Sequence, residues 1–195
     1  IHSQDKAKSK GMTSTLCFPL GNLAPEGSVI KSTAIDPAVV GEDGIYRLTG
    51  PARVFVSERD AVRAVKGLGD KKVEAGDVLI LQGRGPLGAG MEEVAQVALA
   101  LKHLDWGKHV ALLTDARFSG VSTGACIGHI SPEALAGGPI GKLMDDDLIQ
   151  IEIDQNNLKG SINFVGTKNE KLKPIEAGKV LAHRLPNKKL SHDPR

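Results

Sequence analysis

The chain has 195 residues, 41% of them apolar and 25% charged, with a formal net charge of +2. That is enough chain for one domain with a sizeable core, in an ordinary globular balance rather than a disordered or fibrous one. The basic residues are scattered, so no electrostatic footprint for nucleic acid stands out, and no apolar run approaches the roughly 18 residues needed to span a membrane. The N-terminal string IHSQDKAKSKG lacks the apolar core of a signal peptide. Cys17 and Cys126 lie far apart and form no C-x-x-C pair, so neither a disulfide framework nor a zinc site is suggested. A cytoplasmic, reducing location is the expectation. Beginning on Ile and ending on the polar string LPNKKLSHDPR, the sequence reads as a piece of a longer chain.

In chain order, residues 1–12 are polar and expected to fray, 13–166 carry the core, and 167–195 read as a polar, truncated tail with one helix around IEAGKVLAHRL. Within the core, SVIKSTAI (28–35), ARVFVS (52–57), DVLILQ (77–82), HVALLTD (109–115), LIQIEID (148–154) and GSINFVG (160–166) are predicted strands. They are rich in β-branched residues and bounded by Gly, Pro, Asp or Asn. Ser57 followed by Asp60 resembles a capping box before RDAVRAVKG, with Ala61, Val62 and Val65 on one face. In GMEEVAQVALALKHL, the residues Met91, Val94, Val97, Ala98, Leu101 and Leu104 recur at helical spacing. A shorter helix is predicted in SPEALAGG, with Ser131 as cap, Pro132 in the first turn and two glycines as the stop. Six strands with interleaved helices predict a mixed α/β fold, a sheet or barrel with helices packed on it.

Between the third strand and the second helix, Gly83, Gly85 and Gly88 spell G-x-G-x-x-G. The dinucleotide fingerprint needs an acid at the end of the next strand; Asp115 is there, but about 30 residues on rather than about 20, and Pro86 sits inside the turn. No G-K-[ST] follows, so the P-loop reading is weaker still. A nucleotide- or anion-binding module built on the 83–90 loop therefore stands as the alternative reading. The same loop leads to Glu92 and Glu93, expected in the first turn of a helix. There they either complement the helix dipole or supply a ligand for a hard cation. The second informative stretch, TDARFSGVSTGACIGHISPEALAGGPIG (114–141), puts Ser119, Ser122 and Thr123 in a glycine-rich loop after a strand end, where the hydroxyls either cap turns or serve a functional site, and His129 reads as a hydrogen-bonded structural histidine rather than a catalyst. A Ser-His-Asp hydrolase fits poorly, since G-x-S-x-G is absent around Ser119.

Four strings, GNLAPEGSVIK (21–31), GDVLILQGRGPLGAGMEE (76–93), ALLTDARFSGVSTG (111–124) and GHISPEALAGGPIGKL (128–143), resemble in order and spacing the C-terminal half of the dihydroxy-acid and sugar-acid (6-phosphogluconate) dehydratases. The D-xylonate (aldonic acid) branch is the most similar. The resemblance implies a swivelling β/β/α domain, a small β-barrel flanked by helices that covers a site shared with an N-terminal half of the same protein. It implies a hydro-lyase that turns a 2,3-dihydroxy sugar acid into a 2-keto-3-deoxy acid, usually as a homo-oligomer. An iron–sulfur cluster, with cysteine ligands outside this chain, would act as Lewis acid for the C3 hydroxyl. Mg²⁺ would gather the carboxylate and C2 hydroxyl. Ser119 falls on the serine that, as its alkoxide, takes the C2 proton; Glu93 falls on a Mg²⁺ ligand. The threonine that some members carry two residues after that serine is Val121 here, which leaves Ser122 and Thr123 as substrate-binding candidates.

Overall fold

The computed structural model describes residues 2, 3, 6, 9, 10 and 15–190; most of the expected frayed segment 1–12 lies outside the described residues. Among these, one mixed sheet is built from β1 (Leu16–Cys17), β2 (Gly27–Lys31), β3 (Ile45–Phe55), β4 (Val78–Leu81), β5 (Ala111–Thr114), β6 (Ala125–Ser131), β7 (Asp147–Asp154), β8 (Lys159–Thr167) and β9 (Glu170–Lys171). The spatial order is β1-β2-β6-β5-β4-β3-β7-β8-β9. The central strands β6, β5, β4 and β3 run parallel, and the flanking pairs are antiparallel. Four α-helices accompany the described sheet: α1 (Glu58–Val65), the single turn α2 (Pro86–Ala89), α3 (Gln96–Lys102) and α4 (Pro174–His183).

The parallel centre explains the unbroken apolar runs. All four residues of β4, Val-Leu-Ile-Leu, are fully buried. Val78 and Ile80 join an inner core with Ile127, Ile151, Ile162, Phe164 and the α4 residues Ala177 and Leu181. Leu79 and Leu81 join an outer core with Ala61 and Val65 of α1 and Val97, Ala98 and Leu101 of α3. Strands covered on both faces read this way. By contrast β7 alternates, with Ile149, Ile151 and Ile153 inward and Glu152 exposed. The sheet also curls on itself. Past β1, the Leu20 amide donates to the Gly160 carbonyl (3.2 Å) and the Leu20 carbonyl accepts from Ile162 N–H (2.9 Å), bringing the β1–β2 edge to β8. A mixed α/β fold with a half-barrel sheet is thus the observed architecture.

Several local expectations shift. The strand expected over 28–35 ends at Lys31, where Ser32–Ala34 turn into a 3₁₀ helix. The strand at 52–57 is the second half of an 11-residue β3, and at its middle Gly50 passes so close to Gly76 that a Cβ would stand 1.8 Å from the Gly76 carbonyl oxygen. β6 was not anticipated. The Ser57 cap holds, its hydroxyl accepting from Asp60 N–H at 3.4 Å. The helix expected from Met91 begins only at Gln96, so Glu92 and Glu93 are not in its first turn. SPEALAGG keeps just a 3₁₀ turn at Ala134–Ala136, after a cis Ser131–Pro132 peptide.

Because both faces of β4 are buried, truncating either must open a cavity. Leu79→Ala and Ile80→Ala should each cost about 2–5 kcal/mol in chemical denaturation of this chain; a cost under about 1 kcal/mol at either position would contradict the two-sided core.

Candidate active site

The loops that follow the parallel strands are knotted together by two carboxylates. Asp115, just past β5 and 2% exposed, accepts from the backbone N–H groups of Gly83 (3.1 Å), Arg84 (2.9 Å) and Ala134 (2.9 Å). Glu133 accepts from Leu87 N–H with both oxygens, at 3.0 and 3.1 Å. The glycine loop closes tightly on itself: Gly83 has φ +72°, and a Cβ on Gly88 would lie 2.0 Å from the Gly83 carbonyl oxygen. The amides of Gly83, Arg84 and Leu87 therefore already face protein carboxylates, and those of Ala89 and Gly90 face backbone carbonyls. A phosphate-cradling loop also needs a helix directly behind it, and here one turn of helix gives way at Gly90 to an extended segment. Asp115 spends its acceptors on the loop rather than on a ribose.

The extended segment 92–94 lies alongside the chain leading to Ser119. Arg117 N–H donates to the Glu92 carbonyl (3.2 Å) and Val94 N–H to the Arg117 carbonyl (2.9 Å), a two-bond parallel bridge. Arg117 Nε also donates to the Met91 carbonyl at 3.0 Å, and Met91 holds φ +61°. This pairing overrides the helical spacing and sends the two glutamates different ways. Glu92 forms a bidentate pair with Arg84, 2.5 Å from Nε and 2.6 Å from Nη2, on side chains 20% and 15% exposed. Such geometry fixes both partners. Glu93 is more open, at 35% exposure, with Arg117 Nη1 at 3.6 Å.

Ser119 lies two residues beyond Arg117, half-buried, and its hydroxyl makes no hydrogen bond among the described residues. It lines a cavity of about 130 Å³ with Ser122, Lys31, Phe118, Cys126 and His129. Lys31 Nζ donates to the Gly120 carbonyl at 2.9 Å and so supports the loop from below. Ser122 N–H donates to the Ser119 carbonyl at 3.2 Å, closing a turn. Thr123 is exposed and borders a wider groove of about 1020 Å³ that Ser122 shares. Val121 is 86% exposed. The structure thus brings Ser119 and Ser122 to one cavity and ties the Glu93 segment to the Ser119 loop through Arg117; Glu93 itself is not among that cavity's lining residues. The sequence reading overlooked Arg117, Lys31 and the structural duties of Arg84 and Glu133.

Glu93 is a hard oxygen donor of the kind Mg²⁺ takes, and its exposure leaves it free to bind. Among the described residues no three His, Cys, Asp or Glu side chains come together as metal ligands, so Glu93 fits as one member of a wider set. The cysteines do not fit an iron–sulfur cluster. Cys17 sits in the inner core and Cys126 in the outer one. Burial raises both thiols, Cys126 to about 12, which disfavours the thiolate that a metal needs.

The family model for the dihydroxy-acid/6-phosphogluconate dehydratase C-terminal domain matches residues 2–187. The chain is 60% identical over 190 residues to the D-xylonate dehydratase YagF of Escherichia coli (strain K12), covering 97% of this chain and 28% of that protein. It is 56% identical over 196 residues to the D-xylonate dehydratase YjhG of the same organism, covering 100% of this chain and 30% of that protein. A dihydroxy-acid dehydratase of Lachnospira eligens is 42% identical over 179 residues, covering 90% of this chain and 30% of its own. The chain therefore spans less than a third of the curated relatives it matches. By the extent of the model match and the identity to these dehydratases, the chain belongs to the dihydroxy-acid/6-phosphogluconate dehydratase C-terminal family.

Proposed function

We propose that this chain is the C-terminal, swivelling part of a cytoplasmic, homo-oligomeric hydro-lyase that dehydrates a 2,3-dihydroxy sugar acid, of the D-xylonate class, to the 2-keto-3-deoxy acid. The observation that carries the reading is the Arg117 bridge, which hydrogen-bonds the segment bearing Glu93 to the loop bearing Ser119. In the reaction Ser119, as its alkoxide, takes the proton from C2 while the C3 hydroxyl leaves as hydroxide, which gains a proton to become water; the enol so formed gains a proton at C3 and loses the one on its C2 oxygen to give the ketone. A serine hydroxyl is a feeble base until cations and hydrogen-bond donors stabilise its anion. The free Ser119 hydroxyl and the Lys31 ammonium lining the same cavity support that role. Glu93, with ligands from outside this chain, would hold Mg²⁺. When bound, that ion supplies Lewis acidity at the substrate's carboxylate and C2 hydroxyl and acidifies the C2 proton. The cysteines of this chain hold no cluster, and departure of the C3 hydroxyl is assigned to no residue here. Ser122 and Thr123, at the cavity and the adjoining groove, are the candidates for contacts to the substrate's hydroxyls.

In the full-length enzyme, Ser119→Ala should lower kcat by at least about a hundredfold while leaving the melting temperature unchanged. A variant that keeps near wild-type turnover would refute the base assignment.

The two glutamates should separate cleanly. Glu93→Gln should raise the Mg²⁺ concentration needed for half-maximal activity by about tenfold or more with little change in melting temperature. Glu92→Gln should leave the Mg²⁺ requirement alone and cost about 1–3 kcal/mol in stability by breaking the Arg84 pair. A reversed pattern would place the ligand one residue earlier.

A further inference from the structure

β6 carries one residue too many. Opposite it, Gly27 pairs with Ser131 and Val29 with Gly128, so two steps along β2 face three along β6. The extra residue bulges out, and His129 at the bulge has φ +53°. Bulges cluster beside active sites because they re-aim a side chain, and a non-glycine residue at positive φ carries strain that glycine would not. Histidine is among the residues enriched in that region, so the bulge alone assigns the side chain no role.

The surroundings supply one. Every other residue from Ala125 to Ile130 is buried, yet His129 is exposed. Its N–H donates to the Ala116 carbonyl at 2.7 Å, fastening the bulge to the chain that runs into Ser119. The neighbouring Gly128 is pressed so close to that chain that a Cβ there would lie 3.0 Å from Phe118 Cδ2 and 3.1 Å from the Ala116 carbonyl oxygen. The bulge is thus docked on the Ser119 loop by its backbone, and His129 lines the same cavity as Ser119. Among the described residues the ring makes no hydrogen bond, while the Lys31 ammonium lining the same cavity is engaged with Gly120.

We propose that His129 is a substrate-contacting residue, whose ring hydrogen-bonds a hydroxyl or the carboxylate of the polyhydroxy acid held against Ser119. The inference rests on the reading of Ser119 as the base. Asparagine is well tolerated at positive φ, so His129→Asn preserves the bulge and removes the imidazole; His129→Gly does so with no strain at all. In the full-length enzyme acting on D-xylonate, both variants should raise KM by about tenfold or more, the loss of one hydrogen bond to a charged or polar ligand group, with melting temperatures at the wild-type value. KM unchanged within about twofold in both variants would overturn the proposal, as would a fall in melting temperature with KM unchanged, which marks a purely structural histidine. A Ser119→Ala enzyme that still turns over would refute the base assignment instead, and the KM effect of His129→Asn would remain readable beside it.

Discussion

The Asp115 carboxylate accepts three backbone hydrogen bonds, from Gly83, Arg84 and Ala134, and through them fastens the glycine loop and the segment before the 134–136 turn to the end of β5. Each is a bond to a charged acceptor, worth about 1.5–3 kcal/mol, and a buried donor left without its partner costs about as much again. The consequences run outward. With Gly83 and Arg84 pinned, the loop folds back so that Arg84 reaches Glu92, and Glu92 is thereby removed from the open side of the segment. Arg117, two residues past Asp115, pairs with Glu92 and Val94 and leaves Glu93 facing outward. Ser119 and the His129 bulge follow in the same loop system.

The arrangement divides labour between two acid–base pairs of the same chemistry. Arg84–Glu92 is short, bidentate and largely buried, which suits a strut. Arg117–Glu93 is a single contact at 3.6 Å on side chains 49% and 35% exposed, and exposed pairs contribute little stability, which leaves that carboxylate available for another cation. The glycines serve this economy of space rather than a phosphate. The loop's anion is built in, as Asp115 and Glu133.

Much of the fold was legible in the residues, and the exceptions have physical causes. β-branched runs bounded by Gly, Pro, Asp or Asn found β4, β5, β7 and β8, and the Ser57 cap found α1. β6 escaped because Gly124, Gly128 and an exposed His129 break its pattern, and the bulge that breaks it is a tertiary feature shared with β2. The helix over 91–104 was drawn too early because Met91 and Val94 fit helical spacing, whereas Met91 holds φ +61° and Val94 buries itself from a non-helical segment; the pairing partner that decides the matter, Arg117, lies far along the sequence. SPEALAGG has the caps of a helix, but Glu133 and Ala134 are recruited to the carboxylate knot. At the site, Ser119 and Glu93 were found by resemblance to a family, not by spacing. Lys31 and His129, one strand apart in the sheet and about a hundred residues apart in the chain, converge on the cavity only once β2 and β6 pair.

The central claim, that one buried carboxylate sets the loops of the site, is tested most directly by amide hydrogen exchange in Asp115→Asn. Asn keeps the shape but places an NH₂ where one oxygen was, and Asp115 uses both oxygens, so either orientation sets a donor against a donor. The account predicts exchange at least about tenfold faster at Gly83, Arg84 and Ala134, with the amides of Leu79 and Leu112 in the strands still protected. Wild-type protection at those three amides would contradict it.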